Sequence, residues 1–454
     1  MKLLLIILSF FIQLSLQAQK IFSENDLIAV VKKYHPIARQ ALLDVEIAEA
    51  QILVRRGLFD PRASYGNSRK NFDGTEYYNQ QSTELKIPVW YGIELHAGTE
   101  NLGGSRLNPE ETSGTINYVG VSIPVLNFTD LRRATLQQAK LYKRQEEFAA
   151  RSTLNTLVAD ALTAYLKWWE KFEVYKTVQS SLQNAQLRLR MVKTLYELGE
   201  RPAIDTLETV TQVLYLEQLE TESKMLLQQS RLELSIHLWE EENRPYILPE
   251  DAVPQKFENY QPPGLDSLFL IARQHPIVKE LSVKREELKL EKKIQFQSLL
   301  PDVSLKYNNI SRNFSNVFHS PFFENNYQFG FQISVPLRLS EGRGKFRIAR
   351  LKIEKIKLDQ EYEQVRIQNS ISQYYNEWQQ TNIQFQQQVE LVKNYLALQK
   401  GEETRFKNGE SSIFMINSRE AKLIEGRQKQ LSFASKTRQA QIKLMWAAGM
   451  FGEF

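Results

Sequence analysis

Two stretches of this 454-residue chain contain neither glycine nor proline: Thr129 to Leu198 and Lys345 to Lys400. The chain has 19 Gly and 15 Pro, so uninterrupted intervals of this length mark very long helices. The apolar periodicity agrees. Leu154, Val158, Ala161, Tyr165, Trp168, Phe172 and Tyr175 follow alternating steps of four and three. After one short step to Val178, the series resumes at Leu182, Ala185, Leu189, Val192 and Tyr196, a coiled-coil seam with one stammer-like slip. A second seam runs through Ile371, Tyr374, Trp378, Phe385, Val389, Val392 and Phe406. Each helix is expected to hold roughly 65–70 residues, about 100 Å at 1.5 Å per residue. Trp168-Trp169 falls at seam spacing and reads as packing, and the glutamines of 379–388 read as a solvated face.

The chain also repeats itself. Tyr34-His35-Pro36-Ile37 is echoed by Gln274-His275-Pro276-Ile277, and Ser122-Ile123-Pro124-Val125 by Ser334-Val335-Pro336-Leu337. Leu195-Tyr196-Glu197-Leu198-Gly199-Glu200 ends the first long helix as Arg405-Phe406-Lys407-Asn408-Gly409-Glu410 ends the second. Such duplication decides the fold class. Each half, 19–252 and 265–454 with a proline-bearing linker 253–264 between them, is expected to follow one plan. A helix of about 35 residues (24–58; 265–299) precedes strands (within 61–126; 302–312 and 327–337). The long helix (129–198; 341–407) follows, then a glycine turn and a helix of about 38 residues (202–240; 412–448). The two shorter helices together match the long one, so stacked end to end they would run antiparallel beside it.

Residues 1–18 carry Lys2, an apolar run from Leu3 to Leu16, and Ala18 as the last residue before cleavage, which reads as a secretory signal peptide. No other stretch approaches the roughly 20 apolar residues of a spanning helix, so a membrane would have to be crossed by strands. Strands of that type are present. Tyr327, Phe329, Phe331, Ile333, Val335 and Leu337 alternate with Gln328, Gly330, Gln332, Ser334 and Pro336. Val119, Val121, Ile123 and Val125 alternate with Gly120, Ser122 and Pro124. This is the pattern of lipid-facing barrel strands, with proline tolerated at the ends. With Pro61–Lys70 and Asp302–Arg312, about four spanning strands result. Four cannot close a barrel, and open edges are forbidden in lipid, so the chain must oligomerise; three copies give twelve strands and a lumen. Segment 82–100, with Leu85-Lys86-Ile87-Pro88-Val89-Trp90, reads as an extra hairpin at the barrel rim.

Composition narrows the chemistry. Lys/Arg and Asp/Glu are interspersed at net charge +5, without a basic stripe for nucleic acid. The absence of cysteine excludes disulfides, thiolate metal sites and a lipid-modified N-terminal cysteine. The five histidines (His35, His96, His237, His275, His319) form no metal-binding spacing, and no nucleophile elbow or phosphate loop is present, so no catalytic, cofactor or metal residue is assigned.

The signal peptide, the duplicated plan and the two glycine turns resemble the TolC family of outer-membrane efflux proteins across residues 22–450. The most specific features are Tyr196…Gly199…Asp205…Glu208 and Phe406…Gly409…Ser412…Asn417. The resemblance implies a mainly α fold with membrane β-strands: a homotrimer with a twelve-stranded β-barrel and a helical coiled-coil tunnel. It implies an outer-membrane channel subunit of a tripartite efflux or type I secretion system in a Gram-negative bacterium. The channel would be a passive conduit gated at its periplasmic tips and docked on a periplasmic adaptor and an inner-membrane transporter. A periplasmic adaptor or a structural coiled-coil protein is the alternative; sparse soluble strands argue against the first and amphipathic strands against the second. At the tips this chain departs from its relatives. Asp205 keeps the family's acid, but Phe406 stands at the tyrosine position, Ser411 at the arginine, and Met415 and Ser418 where paired acids ring the constriction. The expectation is a constriction of apolar contacts around Phe406 and Met415. Asp205 reads equally as a gate residue or as the cap of the helix that starts near Pro202.

Overall fold

The computed structural model describes residues 21–453 except 108–111, 127–129, 250, 258–260, 298, 320, 325 and 336. The expected signal peptide 1–18 and the strand-end Pro336 lie outside the described residues. In chain order the main elements are α1 (Glu24–Tyr34), α2 (Pro36–Arg56), β1 (Arg62–Phe72), β2 (Thr75–Pro88), β3 (Glu94–Gly103) and β4 (Gly114–Pro124). They continue with α3 (Leu131–Glu197), α4 (Ala203–Ser235), α5 (Leu265–Ala272), α6 (Pro276–Gln297), β5 (Asp302–Ser311), β6 (Tyr327–Ser334), α7 (Ser340–Lys407) and α8 (Ile413–Ala447).

The single helices expected over 24–58 and 265–299 are each two helices, broken before Pro36 and Pro276. Proline donates no hydrogen bond and drives the preceding residue out of the helical region; His35 accordingly sits at φ −65, ψ 130. His35 is buried and stacks on His237 with ring centroids 6.1 Å apart, and burial followed by the neighbouring imidazole lowers its pKa to about 4. It is a neutral packing residue there.

The chain forms two compact units. One comprises the residues up to Leu42 together with 150–276 and 364–454. In it α3 packs antiparallel to α4: Lys167 pairs with Glu233 at 2.5 Å, and Leu182 and Ala185 meet Val213 and Leu216. Likewise α7 packs antiparallel to α8, from the Lys443–Glu377 pair at 3.1 Å to Gln388, whose Nε2 donates to the Gly426 carbonyl at 2.9 Å. Gln388 is thus buried, not part of the solvated face expected of 379–388; it satisfies a carbonyl where the two helices approach closely. The seam residues Leu154, Val158, Ala161, Tyr165 and Trp168 form the core with Leu27, Val31, Leu234 and Ile442. At its centre the Tyr165 hydroxyl donates to the Phe22 carbonyl at 2.7 Å and accepts from the Gln255 N–H at 3.0 Å. It thereby ties together the short parallel pair Ile21–Phe22 and Val253–Pro254, the latter at the start of the expected linker.

The second unit, 43–149 and 277–363, contains an antiparallel sheet in the order β1-β2-β3-β4-β5-β6. This corrects the expected strand number: among the described residues the sheet has six strands, not about four. Segment 82–100 does form the extra hairpin expected, built into the sheet rather than added to its edge. It belongs to β2 and β3, which are paired on both sides. The sheet does not close on itself; β1 and β6 are its edges.

The Gln255 N–H also donates to the Phe22 carbonyl at 3.0 Å, so removing the Tyr165 hydroxyl loses its own hydrogen bonds without stranding either group. Tyr165→Phe should therefore cost about 0.5–1.5 kcal/mol, and Trp168→Ala about 3–5 kcal/mol through its cavity. Thermal unfolding of the purified protein in detergent, followed by helical ellipticity, should rank the two in that order.

Candidate functional site

Two regions carry the candidate residues: the strand wall and the helical tips. In the wall, register decides which side chains share a face. Val121 is opposite Tyr307, which is opposite Phe329; Ile123 is opposite Leu305, which is opposite Phe331; Val303 is opposite Ile333. Val119, two residues from Val121, lies on the same face. Val119, Val121, Ile123, Phe329, Phe331 and Ile333 therefore fall on one side of the sheet. Phe329, Phe331 and Ile333 are exposed there at 51%, 57% and 54%. The opposite side carries Ser122, Lys306 and Gly330 in one row and Gly120, Asn308 and Gln328 in the next. A sheet with an apolar outer face and a polar inner face is what a barrel strand needs when lipid lies on one side and water on the other. Among the described residues no helix is long and apolar enough to cross a membrane.

At the tips, α3 and α7 end in the same way. Gly199 and Gly409 have φ +80 and +78, a conformation that glycine adopts without a Cβ penalty. The Gly199 N–H donates to the Tyr196 carbonyl and the Glu200 N–H to Leu195, both at 2.9 Å. The Gly409 N–H donates to Phe406 at 3.0 Å and the Glu410 N–H to Arg405 at 2.9 Å. These are two copies of one Schellman motif, which satisfies the last carbonyls of each helix and reverses the chain. The chain then enters α4 after Pro202 and α8 after Ser412, whose hydroxyl accepts from the Met415 N–H at 3.4 Å.

Asp205 stands in the first turn of α4, where an acid favours the helix dipole, but its side chain makes no capping hydrogen bond. It pairs instead with Arg201 at 3.7 Å. The Arg201 guanidinium in turn lies over the Phe406 ring, 4.3 Å from its centroid. The phenylalanine that lacks the family's hydroxyl is thus held by a cation–π contact, and the Asp205–Arg201–Phe406 chain joins the first turn to the second. Met415 is half-buried, and Tyr196 and Ser418 are exposed; Glu208 is half-buried one turn after Asp205.

Sequence reasoning passed over the charged residues that brace these turns. The Ser411 hydroxyl donates to Glu402 at 2.5 Å, and Arg405 and Arg419 lie 3.6 and 3.7 Å from the same carboxylate. The Ser411 hydrogen bond first, then the two arginines, hold the Glu402 pKa below its ordinary value. Deeper in, Arg188 of α3 grips Glu420 of α8 with both guanidinium nitrogens, at 2.9 and 3.1 Å, and donates to Asn417 at 2.9 Å. Glu420 is only 4% exposed, so this pair survives burial by being bidentate and further hydrogen-bonded. The one advance signal was position: Glu420 lies three residues after Asn417, on the same helix face.

The sequence profile of the family described as Outer membrane efflux protein matches residues 272–450. No curated protein matches the chain by sequence. Among solved structures, the fold is similar to the CmeC outer membrane channel of Campylobacter jejuni, at 13% identity and TM-score 0.66 over 94% of this chain and 85% of that one. It is similar to the outer membrane protein VceC of Vibrio cholerae, at 13% identity and TM-score 0.64 over 94% and 96%. A third is the open state of the MtrE outer membrane channel of Neisseria gonorrhoeae, at 13% identity and TM-score 0.67 over 94% and 88%. Residues 272–450 thus carry the profile of the outer membrane efflux protein family, and nearly the whole chain has the fold of solved outer membrane channels.

Proposed function

We propose that this protein is the outer-membrane channel subunit of a tripartite efflux or type I secretion system: a homotrimer that conducts passively from periplasm to exterior. One observation carries the reading. The sheet exposes an apolar face, keeps a polar one, and is open at both edges, so lipid on one side and further copies at the edges complete it. The energy for transport would come from an inner-membrane transporter reached through a periplasmic adaptor. This chain contributes pore width, lumen polarity and a gate. The adaptor alternative is disfavoured because its fold would not align with outer-membrane channels over 94% of the chain. Family and fold belong to channels rather than to enzymes.

The gate we assign to the twin tips. Arg201 bridges them inside each chain, and Phe406 and Met415 supply an apolar constriction in place of an acidic ring. Adaptor docking would use the same turns, where Tyr196 and Leu198 are exposed at 48% and 68%.

Insertion tests the channel reading. Phe331→Asp or Val121→Asp should cost on the order of 2 kcal/mol near mid-membrane and abolish the heat-resistant outer-membrane form, while Gln332→Asp on the polar face is mild. Equal tolerance of both faces would refute lipid contact.

Bilayer conductance tests the gate. Arg201→Ala removes the ring contact and the Asp205 pair together; a loss of about 1 kcal/mol per copy shifts the open-to-closed ratio about fivefold for each copy. Asp205→Ala leaves the ring contact and should change conductance little, and Met415→Asp should raise cation preference and open probability. A large leak from Asp205→Ala with no effect of Met415→Asp would show a polar latch instead.

The lowered Glu402 pKa sets an acid limit. A carboxylate stabilised in the fold contributes above its ordinary range and loses that contribution as pH falls through the lowered value. The second turn should therefore loosen only in acid below the ordinary glutamate range. Glu402→Gln should show the same increase in conductance at neutral pH and no further acid step.

A further inference from the structure

We infer that all six strands of each chain stand in the membrane wall, so that three copies close an eighteen-stranded barrel by pairing β1 of one copy with β6 of the next. This rests on the trimeric channel reading above and goes beyond it, since it concerns which strands form the wall and how wide the pore is.

The β2–β3 hairpin lies within the sheet and shares its two faces. Following register from strand to strand, Ile87, Leu95, Val121, Tyr307 and Phe329 form one apolar row across five strands. The next row is Ala63, Leu85, Ala97 and Val119, which runs on to Asn309 and Tyr327. On the other side the corresponding row is polar or small: Arg62, Lys86, His96, Gly120, Asn308 and Gln328. A hairpin lifted off the wall into water would have no use for that parity. Leu85 and Leu95 are exposed at 39% and 43% on the same face as Phe331.

The polar side is interlocked across the hairpin. The Tyr118 ring of β4 lies directly over Gly98 of β3, so close that a Cβ at 98 would meet its Cζ and Oη at 2.6 Å. Aromatic cover of a strand glycine of this kind pins register. On the same side His96 lies 3.6 Å from Glu84, while on the other side, beyond the apolar rows, the Thr99 hydroxyl donates to Asn117 at 2.7 Å. The inner turn is anchored as well. Trp90–Gly92 joins β2 to β3 at the end of the sheet where Pro124 leads towards α3. The Tyr91 N–H donates to Asp130 at 2.9 Å, the Arg133 guanidinium lies 5.8 Å from the Tyr91 ring centroid, and Arg132 pairs with Glu94. Trp90 is 71% exposed at that level, as a membrane-interface aromatic would be.

Adding one hairpin adds two strands and leaves the direction of every other strand unchanged, so the chain still enters and leaves the wall on the helix side. The two edges that remain, β1 and β6, cannot face lipid with unpaired backbone groups. They run antiparallel at opposite ends of one sheet, so each is the natural partner of the other in the next copy. At 4.8 Å between strands and a tilt of about 40°, twelve strands enclose a backbone cylinder about 24 Å across and eighteen one about 36 Å across. The lumen cross-section roughly doubles.

The full-length chain has no cysteine, which makes the seam directly testable. Ser64→Cys, Gly66→Cys or Ser68→Cys on β1 is combined with Gln328→Cys, Gly330→Cys or Gln332→Cys on β6, and outer membranes are oxidised. At least one combination should give covalent trimers on a non-reducing gel. Linkage of Glu94→Cys on β3 to a β6 cysteine of another copy would instead place the first hairpin outside a narrower wall and overturn the proposal. So would the absence of any β1–β6 linkage in protein that inserts normally. Aspartate substitutions separate this from the channel reading. Leu85→Asp and Leu95→Asp should block insertion as fully as Phe331→Asp. If Phe331→Asp alone blocks it, the hairpin is not in lipid and the eighteen-stranded wall fails while the channel stands. If none of the three matters, the channel reading fails with it.

Discussion

A β-strand in hydrocarbon has no water to satisfy its N–H and C=O groups, and each one left unpaired costs several kcal/mol. That constraint orders much of this structure. The sheet is continuous from β1 to β6, and in the proposed membrane wall its two edges would have to find partners in copies of the chain. The constraint also explains where prolines are allowed. Pro88 and Pro124 terminate β2 and β4 at the helix side of the sheet, where a missing N–H falls outside the ladder's interior. The helices answer the same requirement differently. Their backbone groups are satisfied internally over 67 and 68 residues, and only the last turn needs help. That help comes from the two Schellman motifs.

The duplication gives both halves the same problem and, at the tips, two different supports. Both long helices reverse at a glycine with nearly identical φ, so the main chain of the turn is a repeated unit. The side chains have diverged. Around the first turn Arg201 reaches outward to the Phe406 ring, whereas around the second Glu402 gathers Ser411, Arg405 and Arg419. A repeated backbone with unlike side chains is what a ring of alternating tips requires if neighbouring tips are to touch through complementary rather than identical surfaces.

The long helices were legible because a 3.5-residue apolar repeat without breakers has one physical solution, and burial follows the seam from Leu154 to Trp168. The glycine turns were legible because Gly199 and Gly409 punctuate otherwise unbroken helices. The breaks at Pro36 and Pro276 were visible as repeated motifs, but each segment was read as one helix. The β2–β3 hairpin was missed for a specific reason. From Thr75 to Thr83 both faces of β2 are polar or aromatic, Glu-Tyr-Tyr-Asn-Gln-Gln-Ser, so no alternation marks a strand there. Its membership is decided by cross-strand register, a tertiary property. Arg201 and Glu402 were missed because a lone charge next to a turn looks the same whether it is solvated or stacked on a ring ten or two hundred residues away.

The tip chemistry also bears on how the proposed gate could be held shut with a phenylalanine at position 406. A hydroxyl-to-carboxylate link is short-ranged and directional, and is lost once the partners separate by an ångström or so. A guanidinium over an aromatic ring tolerates lateral sliding, because the attraction depends on distance to a broad ring face rather than on one lone pair. Arg201 also keeps Asp205 at 3.7 Å, a spacing too loose for a strong hydrogen bond but sufficient to keep the arginine oriented. In the proposed gate the tip would therefore rest on softer contacts than a hydrogen-bonded latch, with its stiffness supplied from deeper in the bundle. There the buried Arg188–Glu420 pair fixes α3 against α8, at 4% exposure of the carboxylate side chain. Rigid bracing below a compliant tip lets the turns shift while the helix pairing is retained, which is the mechanical division of labour that a gate at the end of a coiled coil needs.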